Sequence, residues 1–350
     1  MTTSDAREEA VLAAIAERRE RVNAAVAEEL PIEHPARLYE ASRYLLDAGG
    51  KRLRPTILLV TAEALADVAP LSTDYRAFPD LDGVRPVDVL AAAVSVEIIQ
   101  SFTLIHDDIM DDDDLRRGVP AVHREYDLET AILAGDTLYS KAFEIMLETG
   151  AGPDRTVEAL SVLSRTCTEI CEGQSLDVGF EDRTDVTVEE YLEMIELKTA
   201  VLYGAAASLP GVLLGAAPET TEALYGFGLD VGRGFQIYDD VLDLTVPSDQ
   251  LGKQRGSDIV EGKRTLITVH AAQQGVDVDG LLDAEAVAEV TEADIDRAVT
   301  ELEAVGSIEY ANEVARDYVA RGKDRLDVLP ENDARDLLMD IADYLIERGY

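Results

Sequence analysis

Two aspartate clusters are the residues best placed to do chemistry: His106-Asp107-Asp108-Ile109-Met110-Asp111-Asp112-Asp113-Asp114 and Asp239-Asp240-Val241-Leu242-Asp243. Each contains an i, i+4 pair, Asp107 with Asp111 and Asp239 with Asp243, and on a helix that spacing stacks both carboxylates on one face. Like charges at that spacing repel, so the pairs predict a bound cation. Hard oxygen donors suit Mg²⁺, which binds through a few carboxylates and completes its shell with water and substrate phosphates. Two such walls facing one cavity would hold a diphosphate through a cluster of metal ions. The competing reading is a solvated acidic face, since the chain has 71 Asp+Glu against 31 Lys+Arg and a net charge of −40. That reading suits Asp112 to Asp114, which fall past the paired positions. It explains the second cluster badly, because Asp239, Asp240 and Asp243 sit among Phe235, Ile237, Val241, Leu242 and Leu244, where acids are costly unless paired or metal-bound.

Cations accompany both clusters. Arg116-Arg117-Gly118 follows the first, and paired arginines suit phosphate oxygens through bidentate bonds. Gly49-Gly50-Lys51-Arg52-Leu53-Arg54-Pro55 combines backbone that a ligand can approach closely with Lys51 and Arg54 to grip a second anion, and it lacks the spacing of a Walker A loop. Lysine is rare, with six in the chain. Lys51, Lys198, Lys253 and Lys263 all lie beside motifs. Lys198-Thr199 falls within an apolar helix, where an exposed lysine covering apolar surface with its stem is the alternative. Gln236 lies three residues before Asp239 and shares its face. Gly252-Lys253 through Asp258 to Gly262-Lys263-Arg264-Thr265 reads as a charged lid loop that excludes water on closing.

The elements that must position these groups are helices. Helical periodicity predicts them over 5–30, 36–48, 56–67, 87–110, 126–149, 154–175, 188–205, 206–215, 219–245, 263–274, 294–304, 307–327 and 333–348, with loops at 68–86, 112–122, 150–153, 180–187, 246–262 and 275–293. Strand alternation is absent, and no composition break divides the chain. One all-α domain over residues 1–350 is expected. The dispersed acidity argues against nucleic acid or an anionic membrane as partner and fits a halophilic protein kept soluble in high salt. No stretch of about 18 uncharged apolar residues occurs, so no stable membrane insertion is expected. The N-terminus has no signal-peptide core, which predicts a cytoplasmic protein. Cys167 and Cys171 read as small buried apolar residues.

Together these motifs resemble the trans-prenyltransferases, or polyprenyl diphosphate synthases. The resemblance runs from residue 49 to at least 265, through Gly-Gly-Lys-Arg-x-Arg-Pro at 49–55, Asp-Asp-x-x-Asp at 107–111 and Arg116-Arg117-Gly118-x-Pro120. It continues through Gly135-Asp136, Gly173-Gln174-x-x-Asp177, Lys198-Thr199, Phe235-Gln236-x-x-Asp239-Asp240-x-x-Asp243 and Gly252-Lys253. Many relatives have a His seven residues before the first Asp; here the residue is Gln100, which can still donate a hydrogen bond to phosphate.

The resemblance implies a single large helical bundle of the isoprenoid synthase type around a central active-site cavity, acting as a homodimer with three Mg²⁺ per site. An allylic diphosphate (dimethylallyl, geranyl or farnesyl) would bind through metal held by Asp107, Asp111 and Asp239, with Asp108, Asp240 and Asp243 supporting. Arg116, Lys198, Lys253 and Lys263 would neutralise it, and isopentenyl diphosphate would bind to Gly50, Lys51, Arg54, Gln100 and Arg117. Thr199, the Gln236 amide oxygen and the Lys198 carbonyl would stabilise the allylic cation. Phe102, with the smaller Thr103 beside it, lies roughly 7.5 Å below the first Asp along the helix and resembles the chain-length position of archaeal geranylgeranyl diphosphate synthases. It implies a C20 product, with C15 farnesyl diphosphate as the alternative. A class I terpene cyclase would not need the second anion site, and a non-catalytic synthase subunit would not need both clusters intact.

Overall fold

Residue patterning alone makes most of this chain helical, and the computed structural model describes residues 3–180, 183–247, 255–282 and 290–347. Within them the chain forms two compact units, one from residues 1–167, 202–226 and 325–341, the other from 168–201, 227–324 and 342–350. All but one of the boundaries, that after Asp324, fall inside long helices, where no composition break marks them.

The first unit holds α1 (Thr3–Glu29), α2 (Ala36–Asp47), α3 (Leu53–Leu65), α4 (Val89–Met110), α5 (Val122–Glu125) and α6 (Leu128–Leu147). It also holds the start of α7 (Pro153–Phe180), nearly all of α9 (Val201–Leu214), the start of α10 (Pro218–Thr245) and much of α15 (Asp333–Glu347). Two short antiparallel hairpins interrupt the helices, β1 (Phe78–Pro79) with β2 (Pro86–Val87) and β3 (Leu115–Arg116) with β4 (Val119–Pro120). Helix α4 is its axis, packed on α1, α3 and α6. Every residue from Val89 to Ile99 is buried, as expected of a helix apolar all round. Asp88 caps it, its carboxylate accepting from the Ala91 amide at 2.7 Å. Two buried ion pairs lock neighbouring helices. Arg18 of α1 meets Glu63 of α3 at 2.5 Å, while Tyr75 donates to the same carboxylate at 2.6 Å. Arg52, left-handed with φ 53°, pairs with Glu97 of α4. Removing one partner of such a pair costs about 3–5 kcal/mol.

The second unit holds the rest of α7, α8 (Val188–Ile195), a π-helical turn over Glu196–Ala200, the rest of α10, α11 (Ser257–Val260), α12 (Leu266–Gln273), α13 (Glu292–Ala304) and α14 (Ser307–Asp324). Thr187 and Glu190 form a capping box at the start of α8, and α12 packs on α8, α13 and α14.

The all-α expectation stands, with differences of local origin. The predicted 126–149 helix is one helix, Leu128–Leu147, starting two residues late because Asp127 caps it, accepting from the Thr130 amide at 2.7 Å. Helix α7 runs on to Phe180 rather than stopping at 175. Residues 188–214 form one run despite Pro210, with the π turn inside it. Cys167 is buried, but Cys171, one turn on along α7, is exposed, correcting its predicted burial. Two helical stretches, Val89–Met110 and Val188–Leu214, are after all long and apolar enough by composition to cross a membrane; their most apolar windows are 83% and 89% buried within the protein.

Candidate active site

The first aspartate cluster ends α4. Asp107 lies in its last turn and Asp111 is the C-cap, where the helix carries a partial negative charge that disfavours carboxylates without a cation. The chain leaves through Asp112 in the left-handed region at φ 55°, and the Asp113 amide donates to the Asp108 carbonyl at 3.0 Å, a Schellman closure. Asp108 points inward and is fully buried. Arg116 Nε donates to its Oδ1 at 2.6 Å, while Oδ2 has no hydrogen-bond partner. Burial pushes the Asp108 carboxyl up to about 6, against the opposing pull of Arg116. Arg116 also meets Asp113 at 2.8 Å, and exposed Asp112 and Asp114 pair with Arg124 at 2.7 and 2.9 Å.

The β3–β4 hairpin sets the two arginines apart. Its two-residue loop, Arg117-Gly118, has φ 55° and 77°, the pattern of a type I′ turn. Arg116, on the strand, turns to Asp108. Arg117, at the tip, donates to the carbonyls of Leu45, at 2.9 Å, and Gly49. A Cβ on Gly50, whose φ is 144°, would stand 3.0 Å from the Arg117 guanidinium carbon. Gly50 and Arg117 are thus brought together as one element. Lys51 is exposed and Gln100 half-buried, whereas Arg54 stacks on Tyr203 at 4.2 Å. Phe102 is buried edge-on against His106 at 5.1 Å and Tyr139 at 5.3 Å; Thr103 next to it donates to the Gln100 carbonyl at 2.9 Å. The Gly135 of the Gly-Asp motif is explained here, because a Cβ on it would overlap His106.

The second cluster lies in the last two turns of α10. Asp239 is half-buried, and Asp240 and Asp243 are buried. Neutral donors hold them. Tyr191 donates to Asp240 Oδ2 at 2.6 Å and Gln236 Nε2 to Oδ1 at 3.0 Å. Ser257 and the Asp258 amide donate to Asp243 at 3.0 and 3.2 Å. Burial, with Asp258 nearby, drives the Asp240 carboxyl well above the usual range despite the Tyr191 and Gln236 bonds. The Thr199 hydroxyl donates to Gln236 Oε1 at 3.0 Å, so a polar chain runs Thr199–Gln236–Asp240–Tyr191. Lys198, on the π turn, pairs with Asp177 of α7. Lys263 lies 2.9 Å from Glu261 and 3.9 Å from Asp258. Lys253 and Gly252 lie outside the described residues. Sequence reasoning missed Tyr191, because a residue 49 positions from Asp240 has no spacing that signals the bond. It also gave no separate role to Asp177 or Ser257.

The donor set fits a hard divalent cation. Among the described residues no three His, Cys, Asp or Glu groups form a ready-made cage. Mg²⁺ does not require one, since it takes one or two carboxylates and keeps water and phosphate in its shell. Asp108 Oδ2, buried without a hydrogen-bond partner, and, in the other unit, Asp240, held by neutral donors, are each the kind of oxygen donor a cation relieves.

Residues 35–302 match the family model described as Polyprenyl synthetase. A geranylfarnesyl diphosphate synthase of Natronomonas pharaonis is 71% identical, over 97% of this chain and 98% of its own. A geranylgeranyl diphosphate synthase of Methanosarcina mazei is 51% identical, over 96% and 97%. The solved structure of a geranylgeranyl pyrophosphate synthetase from Geoglobus acetivorans aligns with a TM-score of 0.83 at 43% identity, covering 95% of this chain and 99% of that one. Motifs, helical architecture and these likenesses agree: the chain is a prenyltransferase and belongs to the polyprenyl synthetase family.

Proposed function

We propose that the chain catalyses the Mg²⁺-dependent head-to-tail condensation of isopentenyl diphosphate with allylic diphosphates, and that its main product is the C25 geranylfarnesyl diphosphate. The 71% identical relative bearing that name supports the length. The observation carrying the chemistry is the chain Thr199–Gln236–Asp240–Tyr191, which ties groups suited to an allylic cation to an acidic cluster suited to metal. Asp107, Asp111 and Asp239 would hold the metal, with Asp108, Asp240 and Asp243 positioning them; three ions per site is our reading. Bound there, Mg²⁺ would neutralise the diphosphate and stabilise charge developing on it.

The chain's own cations would share that task. As the allylic C1–O bond breaks, its electron pair leaves with the diphosphate, and Arg116, Lys198, Lys253 and Lys263 would meet the growing charge. Gly50, Lys51, Arg54, Gln100 and Arg117 would orient isopentenyl diphosphate, whose double bond supplies the electrons of the new carbon–carbon bond. The proton then lost goes to the released pyrophosphate, so no side-chain base is needed. A C20 product is the second reading, favoured by Phe102, whose ring is wedged against His106 and Tyr139.

We further propose that both units serve one synthase domain over residues 1–350, in a cytoplasmic, halophilic homodimer. Exposed Leu128, Ile132, Leu133, Tyr139 and Leu147 along α6 form an apolar surface suited to a second copy. Incubating the protein with labelled isopentenyl diphosphate, Mg²⁺ and each allylic primer, then sizing the products, tests the reading. Metal-dependent elongation ending at C25 is expected; no elongation from any primer defeats it, and a C20 end point selects the second reading.

A further inference from the structure

Arg54 carries a charge that no acid around it answers. The chain holds 71 Asp+Glu. Arg52, two residues earlier, pairs with Glu97, and Arg117 approaches the same carboxylate at 3.7 Å. Among the described residues Arg54 makes no such pair, and its buried Nε has no hydrogen-bond partner. It lies in the first turn of α3, where the partial positive charge of the helix end disfavours a cation and suits an anion. What holds it is an aromatic face. The guanidinium carbon sits 4.2 Å from the ring centre of Tyr203, which is fully buried in α9. Gly204, the next residue, lets α9 press closely on α10, since a Cβ there would stand 2.9 Å from the Tyr225 ring. The stacking ring thus stands on a tightly packed stretch of helix.

We infer that Tyr203 is a positioning residue, which fixes Arg54 for the diphosphate of isopentenyl diphosphate without cancelling its charge. This rests on the synthase reading above. A carboxylate partner would hold the guanidinium as firmly, but it would neutralise it and occupy its donors. A ring face attracts a cation through its quadrupole and carries no net charge. Stacking also uses only the flat face of the guanidinium, so its in-plane N–H donors stay open to a bidentate anion. Tyr203 itself touches no substrate in this account and takes part in no bond change.

The test compares Tyr203→Phe, which keeps the ring face, with Tyr203→Leu, which removes it. Tyr203→3,4,5-trifluorophenylalanine keeps the ring but drains negative charge from its face, so it serves even if the Leu variant folds poorly. Calorimetry with isopentenyl diphosphate alone, without allylic primer, reads the binding. The Phe variant should bind within about twofold of wild type, the Leu variant about tenfold more weakly, and the trifluoro variant about threefold more weakly than Phe. The KM for isopentenyl diphosphate should rise in the same order while kcat holds, and geranyl thiolodiphosphate with Mg²⁺ should bind as in the wild type. Wild-type affinity in the Leu variant would overturn the inference. So would equal affinity in the Phe and trifluoro variants, which would make the ring a matter of shape and stability. Equal weakening of both diphosphates would overturn it too, by removing the assignment to isopentenyl diphosphate. A wild type that neither binds isopentenyl diphosphate nor elongates a primer defeats the synthase reading and this inference together. A wild type that does both, with no difference among the variants, defeats this inference alone.

Discussion

The two aspartate clusters solve one electrostatic problem in different ways. Both occupy the C-terminal turns of long helices, α4 and α10, where the helix dipole disfavours negative charge. In the first, a fully charged partner answers the buried acid: Arg116 holds Asp108, and the helix ends in an open, exposed Asp111. In the second, neutral groups answer the most deeply placed acid: Tyr191 and Gln236 hold Asp240, while Ser257 and a backbone amide donate to Asp243. Neutral donors fix orientation without cancelling charge. Asp240 therefore keeps its demand for a cation, whereas Asp108 has part of it met by Arg116.

Replacing Asp239 with Ala should have the largest effect, lowering kcat/KM about 10³-fold with wild-type stability retained, since the residue is assigned to charge stabilisation rather than to the fold. Asp107→Ala should match it; a loss confined to one of the two would break the view that both clusters do the same work. Next, Tyr191→Phe should cost about 10–100-fold in metal affinity or turnover, as loss of a ligand-positioning bond does. Magnesium titration of activity separates that from a folding defect, because the variant should recover toward wild-type rate at high Mg²⁺.

A smaller effect separates the clusters by pH. Asp108 titrates near 6 in the folded protein against an ordinary 3.8. Between those values the native state keeps a proton that the unfolded chain has released, so stability falls as pH rises through that window. Asp108→Asn removes the dependence. In metal-free buffer its stability relative to wild type should grow from pH 4 to 7, by up to about 3 kcal/mol. Chemical denaturation at several pH values measures this, and a constant difference would contradict the burial argument. The mildest expected change is Phe102→Ala, which should lengthen the product with little loss of rate; an unchanged distribution would remove Phe102 as the determinant.

The i, i+4 acid pairs and the arginines after them were legible in the sequence because their relations span one or two helical turns, which residue spacing encodes. The helical content was legible for the same reason. Tyr191, Ser257 and Asp177 reach the site through bonds to residues 49, 14 and 21 positions away, and only the folded chain brings these together. The π turn at Glu196–Ala200 adds a single residue to a helix, too little to disturb periodicity. The hairpin tip that turns Arg117 away from Arg116 depends on two successive positive φ values; Gly118 signals one of them and an arginine does not signal the other. Four of the unit boundaries fall inside α7, α9, α10 and α15, where the pattern is continuous.

The most direct measurement of the central claim is elongation of farnesyl diphosphate with labelled isopentenyl diphosphate, by the wild type and by Asp239→Ala, with Mg²⁺ and again after chelation. Metal-dependent formation of longer prenyl diphosphate by the wild type, lost in the variant and on chelation, is the predicted result. Equal elongation by the variant, or elongation that survives chelation, would contradict the account.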